Sequence, residues 1–280
     1  MERPHWIVRQ GRDYTLCVEE ADRARAEAAL AEYERDEQAR PVPAPDEPLD
    51  IPIFGVAMTL LGLVLFFAVQ NVIPPTWMER GVADDLRIRA GEWWRTLTAL
   101  TLHGDAEHLV SNLSLGIFIC AFVFSRFGVG VGLLATMLSG AFGNALNVWV
   151  HWYQPHRSIG SSTALFAGLG LLAGAELAAR LRHEQTRGLW SLILPLGAGL
   201  TFLSLFGGGG IGADGAPILV AGRVDIMAHL LGLAAGVVLG VVFFATGARR
   251  GLPARSQVAA GLLAGMLLAG AWWCALALAA

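Results

Sequence analysis

Seven long apolar stretches restrict the fold of this chain more than any other feature of its sequence. A bilayer core about 30 Å thick is crossed by about 20 helical residues, and each stretch is long enough to cross it. The mean hydropathy of +0.54 and the 55% content of hydrophobic residues are typical of a multispanning membrane protein and exclude an ordinary soluble domain. We predict membrane-spanning helices over residues 52–73, 108–126, 128–150, 162–181, 188–206, 225–247 and 256–278.

The first 50 residues have a different character from the rest of the chain. They hold seven Arg and thirteen Asp or Glu, whereas the other 230 residues hold thirteen Arg and ten acidic residues. The segment HWIVRQGRDYTLCV predicts two short strands around a turn, and ADRARAEAALAEYERDEQAR predicts a helix. We therefore expect a small α+β cytosolic domain over residues 1–40, followed by a stiff, proline-rich linker over residues 41–51.

The arginines of the short connections predict the orientation of the chain, because cytoplasmic loops are enriched in basic residues. Seven arginines fall on one side of the membrane, whereas Arg157 and Arg223 are alone on the other. The N-terminus then lies in the cytoplasm and the C-terminus outside, in an inner (plasma) membrane of the bacterial type. Since the N-terminus lacks the apolar core of a cleaved signal peptide, we expect the first span to direct insertion. The seven are Arg126, Arg180, Arg182, Arg187, Arg249, Arg250 and Arg255.

The first connection between spans, residues 74–107, is too long and too charged for a simple loop. It holds four arginines and also Trp77, Trp93 and Trp94, and Trp prefers the boundary between lipid and water. We expect it to form a structured element at the outer surface of the membrane. The arginines are Arg80, Arg87, Arg89 and Arg95.

A few polar side chains lie inside or at the edge of apolar spans, where they are costly and are candidates for function. Hydrogen bonds between helices would explain each cluster taken alone. However, all the clusters fall at the outer end of their spans in the predicted topology, and this favours a common site. They are His103, His108 and Asn112 in the second span, Ser161, Ser162 and Thr163 in the fourth, and His229 in the sixth.

Serine, histidine and hydrogen-bond donors together indicate acyl transfer, with a histidine as general base and donors that stabilise an oxyanion. Asp225 precedes His229 by four residues on the same helix and is nearer the surface, so a Ser–His dyad is simpler than a triad. A metal site is the competing interpretation. The chain has no HExxH motif, and His103 and His108 are five residues apart and poorly aligned on a helix. We therefore expect no metal and no cofactor.

Four separated segments match, in order, the motifs of one protein family. GEWWRTLTALTLH contains a Trp-Arg pair at Trp94 and Arg95, and HGDAEHLVSN contains the pattern H-x-x-x-x-H-x-x-x-N. GSSTALFAGLG is similar to G-x-S-G, and VDIMAHLLGLAAG is similar to A-H-x-x-G-x-x-x-G. With these motifs the chain resembles the rhomboid family of intramembrane serine proteases over residues 52–247. The seventh span, in residues 248–280, resembles the extra C-terminal helix of some members.

The resemblance implies an all-α polytopic membrane protein, with a rhomboid-like six-helix core, a seventh helix and the small N-terminal domain. It implies cleavage of transmembrane segments of other membrane proteins near the outer face. The partners would be those substrates and the lipid bilayer, with no nucleic acid, while the oligomeric state stays open. It assigns Ser162 as nucleophile and His229 as base, Asn112, His108 and the Ser162 N–H as oxyanion hole, and Gly160, Phe166 and His103 as supporting residues.

One position departs from the family pattern, since Thr163 stands where the family usually has Gly after the serine. A β-branched residue does not suit positive φ, but it is acceptable in the first turn of a helix. We also expect the glycine-rich connection 207–223 to act as a mobile cap over the site.

Two other functions compete with proteolysis. A rhomboid-like pseudoprotease would bind membrane clients without cutting them, but the presence of both Ser162 and His229 argues against it. A solute transporter would predict internal repeats and mid-span acids. The one mid-span acid, Glu176, is expected to pair with Arg180 one turn later.

Overall fold

In a computed structural model of the chain, the described residues are 5–10, 13–39, 50–72, 76–151, 155–182, 225–246 and 252–278. The predicted fifth span, 188–206, and the predicted mobile cap, 207–223, lie outside the described residues, as does most of the predicted linker. The chain divides into two compact units, Met1–Pro48 and Leu49–Ala280.

The N-terminal unit contains the two strands and the helix that the sequence predicts. Strand β1 (His5–Gln10) pairs antiparallel with β2 (Asp13–Val18), with His5 opposite Val18. A 3-10 turn (Glu20–Asp22) leads into α1 (Arg23–Ala39). Ala, Glu and Arg, which dominate α1, are strong helix formers. An ion pair of 3.0 Å between Arg23 and Glu27, one turn apart, adds local support.

Six helices among the described residues are long and apolar enough to cross a membrane. Their ends lie within two residues of the predicted ends, which confirms six of the seven spans and the all-α polytopic fold. Helices are numbered along the chain, with α3 to α5 in the first connection. The six are α2 (Ile53–Val72), α6 (Ala106–Phe127), α7 (Val129–Val150), α8 (Ser162–Leu181), α9 (Ile226–Ala245) and α10 (Ala254–Leu278).

The first connection is folded, as predicted. It begins with two short helices, α3 (Thr76–Gly81) and α4 (Asp85–Arg89). A third short helix, α5 (Arg95–Thr98), follows and continues into a 3-10 turn (Ala99–Thr101). A two-residue strand, β3, pairs antiparallel with β4, with Asp84 opposite Arg157. Because β4 comes just before α8, the pairing ties the first connection to the segment that leads into α8. The two strands are β3 (Ala83–Asp84) and β4 (Arg157–Ser158).

The tryptophans of this connection differ from the expectation that Trp lies at a lipid boundary. Trp77 stacks on Trp272 of α10 with ring centroids 4.1 Å apart, and Trp94 is 7% exposed. Of the three, only Trp93 is mostly exposed. Trp94 is therefore buried and Trp77 is half-buried, because α10 offers an aromatic surface to this connection.

Glycines at every fourth residue of α9, Gly232, Gly236 and Gly240, predict close packing against another helix. The structure confirms this, since a Cβ at Gly236 would overlap the carbonyl of Ala167, and one at Gly240 would overlap the carbonyl of Leu171. The backbones of α8 and α9 therefore touch. This contact brings the first turns of the two helices together.

Candidate active site

The first turns of α8 and α9 place a serine against a histidine. Ser162 is the first residue of α8, and its Oγ lies 2.7 Å from Nε2 of His229. His229 is buried at 6% exposure, and the ring of Phe166 stacks on it with centroids 4.7 Å apart and planes 13° apart. Phe166 lies one turn after Ser162, so one helix presents both the hydroxyl and the ring that holds the imidazole. The structure thus brings these three predicted site residues together.

The second nitrogen of His229, Nδ1, is buried and has no hydrogen-bond partner among the described residues. When Nε2 accepts the Ser162 proton, the neutral ring carries its own proton on Nδ1. Asp225, the nearest acid in sequence, is engaged elsewhere: its Oδ1 accepts from the backbone N–H of Ala228 at 2.9 Å, and its Oδ2 accepts from His156. Within the described residues, the contact therefore joins one serine and one histidine, with no acid on the histidine.

The backbone before Ser162 is pressed against the ring of His108. Gly160 has φ of +122°, and a Cβ there would lie 2.7 Å from His108 Nε2 and 3.4 Å from Ser162 Oγ. Only glycine both adopts this positive φ readily and lets the backbone come this close to the His108 ring. His108 Nδ1 accepts the Gly104 N–H at 3.4 Å, so the neutral ring carries its proton on Nε2. A donor on His108 therefore faces the segment Gly160–Ser162.

Asn112 lies one turn after His108 on α6, so both side chains occupy the same helix face. Asn112 is 5% exposed, and its Nδ2 has no hydrogen-bond partner among the described residues. An unpaired buried donor costs about 1–3 kcal/mol. Such a cost is tolerated where a reacting group uses the donor, so this amide suits an oxyanion hole.

A second Ser–His pair lies beside the first. His103 Nε2 is 3.3 Å from Ser161 Oγ, and the two residues are 0% and 5% exposed. Burial, with a smaller contribution from His108, lowers the pKa of His103 to about 4. Gln70, near the end of α2, holds the backbone of His103 by donating to its carbonyl and accepting from its N–H. This pair is closed to solvent, whereas Ser162 is partly exposed.

Thr163 is accommodated by helix packing. It lies in the first turn of α8, and the positive φ of this motif falls at Gly160 instead. A Cβ at Gly143 would lie 3.2 Å from Thr163 Cγ2, and one at Gly232 would lie 3.1 Å from it. The methyl group therefore fills the space between two glycines of α7 and α9, where a glycine at 163 would leave a gap.

The sequence reasoning overlooked polar residues of α7. Asn144 Nδ2 donates to the carbonyl of Thr96 at 3.0 Å, and Asn147 Nδ2 donates to Asp225 Oδ2 at 2.5 Å. Both asparagines are buried in a predicted span, so the cost of polar groups in lipid could have identified them. Within the described part of the chain, no group of three or more His, Cys, Asp or Glu side chains could hold a metal ion.

Comparisons with known proteins all indicate the same protein family. A family model described as "Rhomboid domain" matches residues 90–246. The chain is 29% identical over 168 residues to rhomboid protease GluP of Bacillus subtilis (strain 168), which covers 58% of the chain and 32% of that protein. It is 33% identical over 150 residues to rhomboid-like protease 3 of Toxoplasma gondii, covering 52% of the chain and 50% of that protein. It is 34% identical over 170 residues to RHOMBOID-like protein 1 of Arabidopsis thaliana, covering 60% of the chain and 39% of that protein.

Proposed function

Because the chain belongs to the rhomboid family, we propose that it is an intramembrane serine protease with Ser162 as nucleophile and His229 as general base. The observation that carries this proposal is the 2.7 Å contact between Ser162 Oγ and His229 Nε2. The chain is an integral membrane protein with six apolar helices among its described residues. Two of the three relatives described above bear the word protease in their names, which supports proteolysis.

The proposed first step is acylation of Ser162. His229 Nε2 takes the Oγ proton while Oγ bonds to the scissile carbonyl carbon, and negative charge develops on the carbonyl oxygen. That oxygen would accept hydrogen bonds from Asn112 Nδ2, His108 Nε2 and the backbone N–H of Ser162. The N–H groups of the first turn of a helix have no partner within the helix, so the start of α8 suits this role.

The protonated His229 then returns its proton to the leaving amine, and the peptide bond breaks. In the second step, water loses a proton to His229 and attacks the acyl group on Ser162, which releases the new carboxyl end. Phe166, stacked on the imidazole, would keep the ring in place through both steps. The dyad needs no metal and no cofactor for this cycle.

We propose that the substrate is a transmembrane helix of another membrane protein, locally unwound near the outer face. The site lies at the starts of α8 and α9, and the arginine distribution predicts that these ends face outward. The same distribution predicts a cytoplasmic N-terminus and an external C-terminus in a bacterial inner membrane. Glu176, which a transporter could use, pairs with Arg180 at 3.1 Å, and this favours a structural role.

The proposal is tested by labelling with a serine-directed fluorophosphonate in detergent, followed by cleavage of a test transmembrane substrate. We expect the wild type and Ser161→Ala to be labelled and to cleave, and Ser162→Ala to do neither, because Ser162 hydrogen-bonds to His229 whereas Ser161 contacts His103. Labelling that survives in Ser162→Ala and disappears in Ser161→Ala would assign the nucleophile to the His103 pair instead. If the wild type binds the substrate but is not labelled and does not cleave it, the protein is a pseudoprotease.

Asn112→Ala is expected to lower kcat for substrate cleavage about 10²- to 10³-fold, with little change in KM, because loss of one oxyanion donor acts in the transition state. Ser114→Ala is the matched control, since Ser114 is a polar residue of α6 whose hydroxyl donates only to the carbonyl of Val110, at 2.8 Å. Its kcat should equal that of the wild type. An unchanged kcat in Asn112→Ala would remove Asn112 from the oxyanion hole.

A further inference from the structure

Asp225 connects three separate parts of the chain. It is the N-cap of α9, and its Oδ1 accepts from the Ala228 N–H at 2.9 Å. Its Oδ2 accepts from Asn147 Nδ2 of α7 at 2.5 Å and from His156 Nε2 at 2.6 Å. His156 lies just before β4, in the segment that leads to Ser162. One carboxylate therefore joins the helix that carries the base to the segment that carries the nucleophile.

His156 is itself held from two sides. The ring of His151, at the end of α7, stacks on it with centroids 4.0 Å apart and planes 11° apart. Its backbone carbonyl accepts the N–H of Asp85, the first residue of α4, at 3.2 Å. Asp85 is 3% exposed, and its carboxyl group interacts electrostatically with His156 and His151. His156 is thus held in place for Asp225 by contacts with α7 and α4, two elements other than α9.

We propose that Asp225 and His156 are positioning residues, whose ion pair fixes the first turn of α9 against the segment before Ser162 and so sets the distance between His229 and Ser162. In the described part of the chain neither side chain hydrogen-bonds to Ser162 or His229, so both act mainly through the backbone that they anchor, while the charge of Asp225 also interacts with His229. This inference rests on the proposed function. It assigns roles to two residues that the Ser–His dyad by itself does not require.

The pKa values of the cluster favour an ion pair between a charged Asp225 and a protonated His156. Burial alone would raise the pKa of Asp225, but hydrogen bonds from His156 and the Ala228 N–H hold it at about 2. The hydrogen bond to Asp225 raises the pKa of His156 above its ordinary value. Burial raises the pKa of Asp85 to about 6, against the opposing effects of His156, His151 and Arg89. In the described part of the chain, Asp225, Asp85 and His151 are the titratable groups that face His156.

These shifts define the pH window of the network. A raised pKa in the folded state gives a stabilisation that is lost as pH rises through that pKa. The contribution of His156 is therefore lost as pH rises through its raised pKa, and that of Asp85 is lost as pH rises from about 4 to about 6. Asp225, whose pKa is lowered, stabilises the fold above about pH 4 and loses this effect as pH falls toward 2. The network is therefore strongest at mildly acidic pH and weakens toward alkaline pH.

The test compares the kcat and KM of the wild type with those of Asp225→Asn and His156→Gln between pH 5 and 9. Asn is as good an N-cap as Asp, so Asp225→Asn keeps the cap and loses the charge. We expect kcat to fall about 10-fold at pH 6 with KM unchanged, since small misplacement of catalytic groups is costly. The ratio of wild-type to variant kcat should approach one as His156 loses its proton. The double variant should be no worse than either single variant.

Asp84→Asn is the matched control. Asp84 caps α4 by accepting from the Arg87 N–H at 3.2 Å and lies 3.6 Å from Arg157. It is thus a carboxylate cap in the same region, with no hydrogen bond or ion pair to α9 among the described residues. Its kcat should match that of the wild type at every pH. A kcat ratio for Asp225→Asn that stays constant with pH, or additive effects in the double variant, would overturn the positioning role.

A readout that needs no activity separates this inference from the proposed function. If the wild type neither labels nor cleaves, the proposed function fails, and the ¹⁵N imidazole signals of His229 then decide the positioning role. We expect these signals to change in the wild type as His156 titrates, and to lose that change in Asp225→Asn. Signals that follow the same course in both proteins would overturn the inference.

Discussion

His229→Ala is expected to lower kcat for substrate cleavage by about 10⁴-fold or more, because the base that takes the Ser162 proton is removed. The 2.7 Å contact and the stacked Phe166 ring indicate that this imidazole is already placed for proton transfer. The loss should appear in kcat and in kcat/KM alike. The thermal unfolding midpoint in detergent should change little, since α8 and α9 are held together by their glycine contacts.

His103→Ala provides the comparison, because the protein has a second histidine that contacts a neighbouring serine. His103 is fully buried and packs edge-to-face on His108 with centroids 5.2 Å apart. Its removal should lower the unfolding midpoint and reduce kcat far less than His229→Ala does. Equal losses of kcat in the two variants would contradict the assignment of His229 as the single base.

Arg95→Ala is expected to lower the free energy of unfolding by about 3–5 kcal/mol, as found when one partner of a buried ion pair is removed. Arg95 is 0% exposed, and its Nε lies 2.6 Å from Glu92. Its Nη1 donates to the carbonyls of Glu79 at 2.8 Å and Val82 at 3.0 Å. The variant leaves three acceptors without their donor, so the first connection should lose its fold. The unfolding midpoint in detergent measures this loss.

Arg87→Ala is the matched control for Arg95→Ala. Arg87 contacts the same carboxylate, Glu92, at 3.4 Å, but its side chain is 44% exposed. Exposed ion pairs contribute about 0–1 kcal/mol, so the unfolding midpoint of this variant should be close to that of the wild type. Similar midpoints for Arg87→Ala and Arg95→Ala would show that the buried fork does not hold the first connection.

The length rule for membrane helices explains why the spans were predictable. Each described span is a single helix that satisfies its own backbone, so apolar length alone locates its ends. The glycine spacing of α9 was predictable for a similar reason, since the period of the helix places Gly232, Gly236 and Gly240 on one face. Both features depend on residues within one helix.

Contacts between distant segments were not predictable in this way. The sequence indicates that Trp77 and Trp94 belong to an interfacial element, but Trp77 stacks on Trp272 and Trp94 packs in the same apolar cluster, far from Trp272 in the chain. Gln70 was unremarkable at the end of its span until the structure showed its two hydrogen bonds to His103. Asp225 was interpreted only as a surface residue near His229, because no local pattern reveals His156 as its partner.

The sequence by itself determined the membrane class, the six described spans and the small set of polar residues that suit acyl transfer. The family motifs predicted that Ser162 pairs with His229, and these two side chains are in contact in the structure. Only the tertiary structure decided that Ser161 meets His103. It also showed that Thr163 packs between two glycines while Gly160 supplies the positive φ. The physical reason is that helical periodicity assigns a side chain to a face, whereas the packing of neighbouring helices sets the distance between two faces.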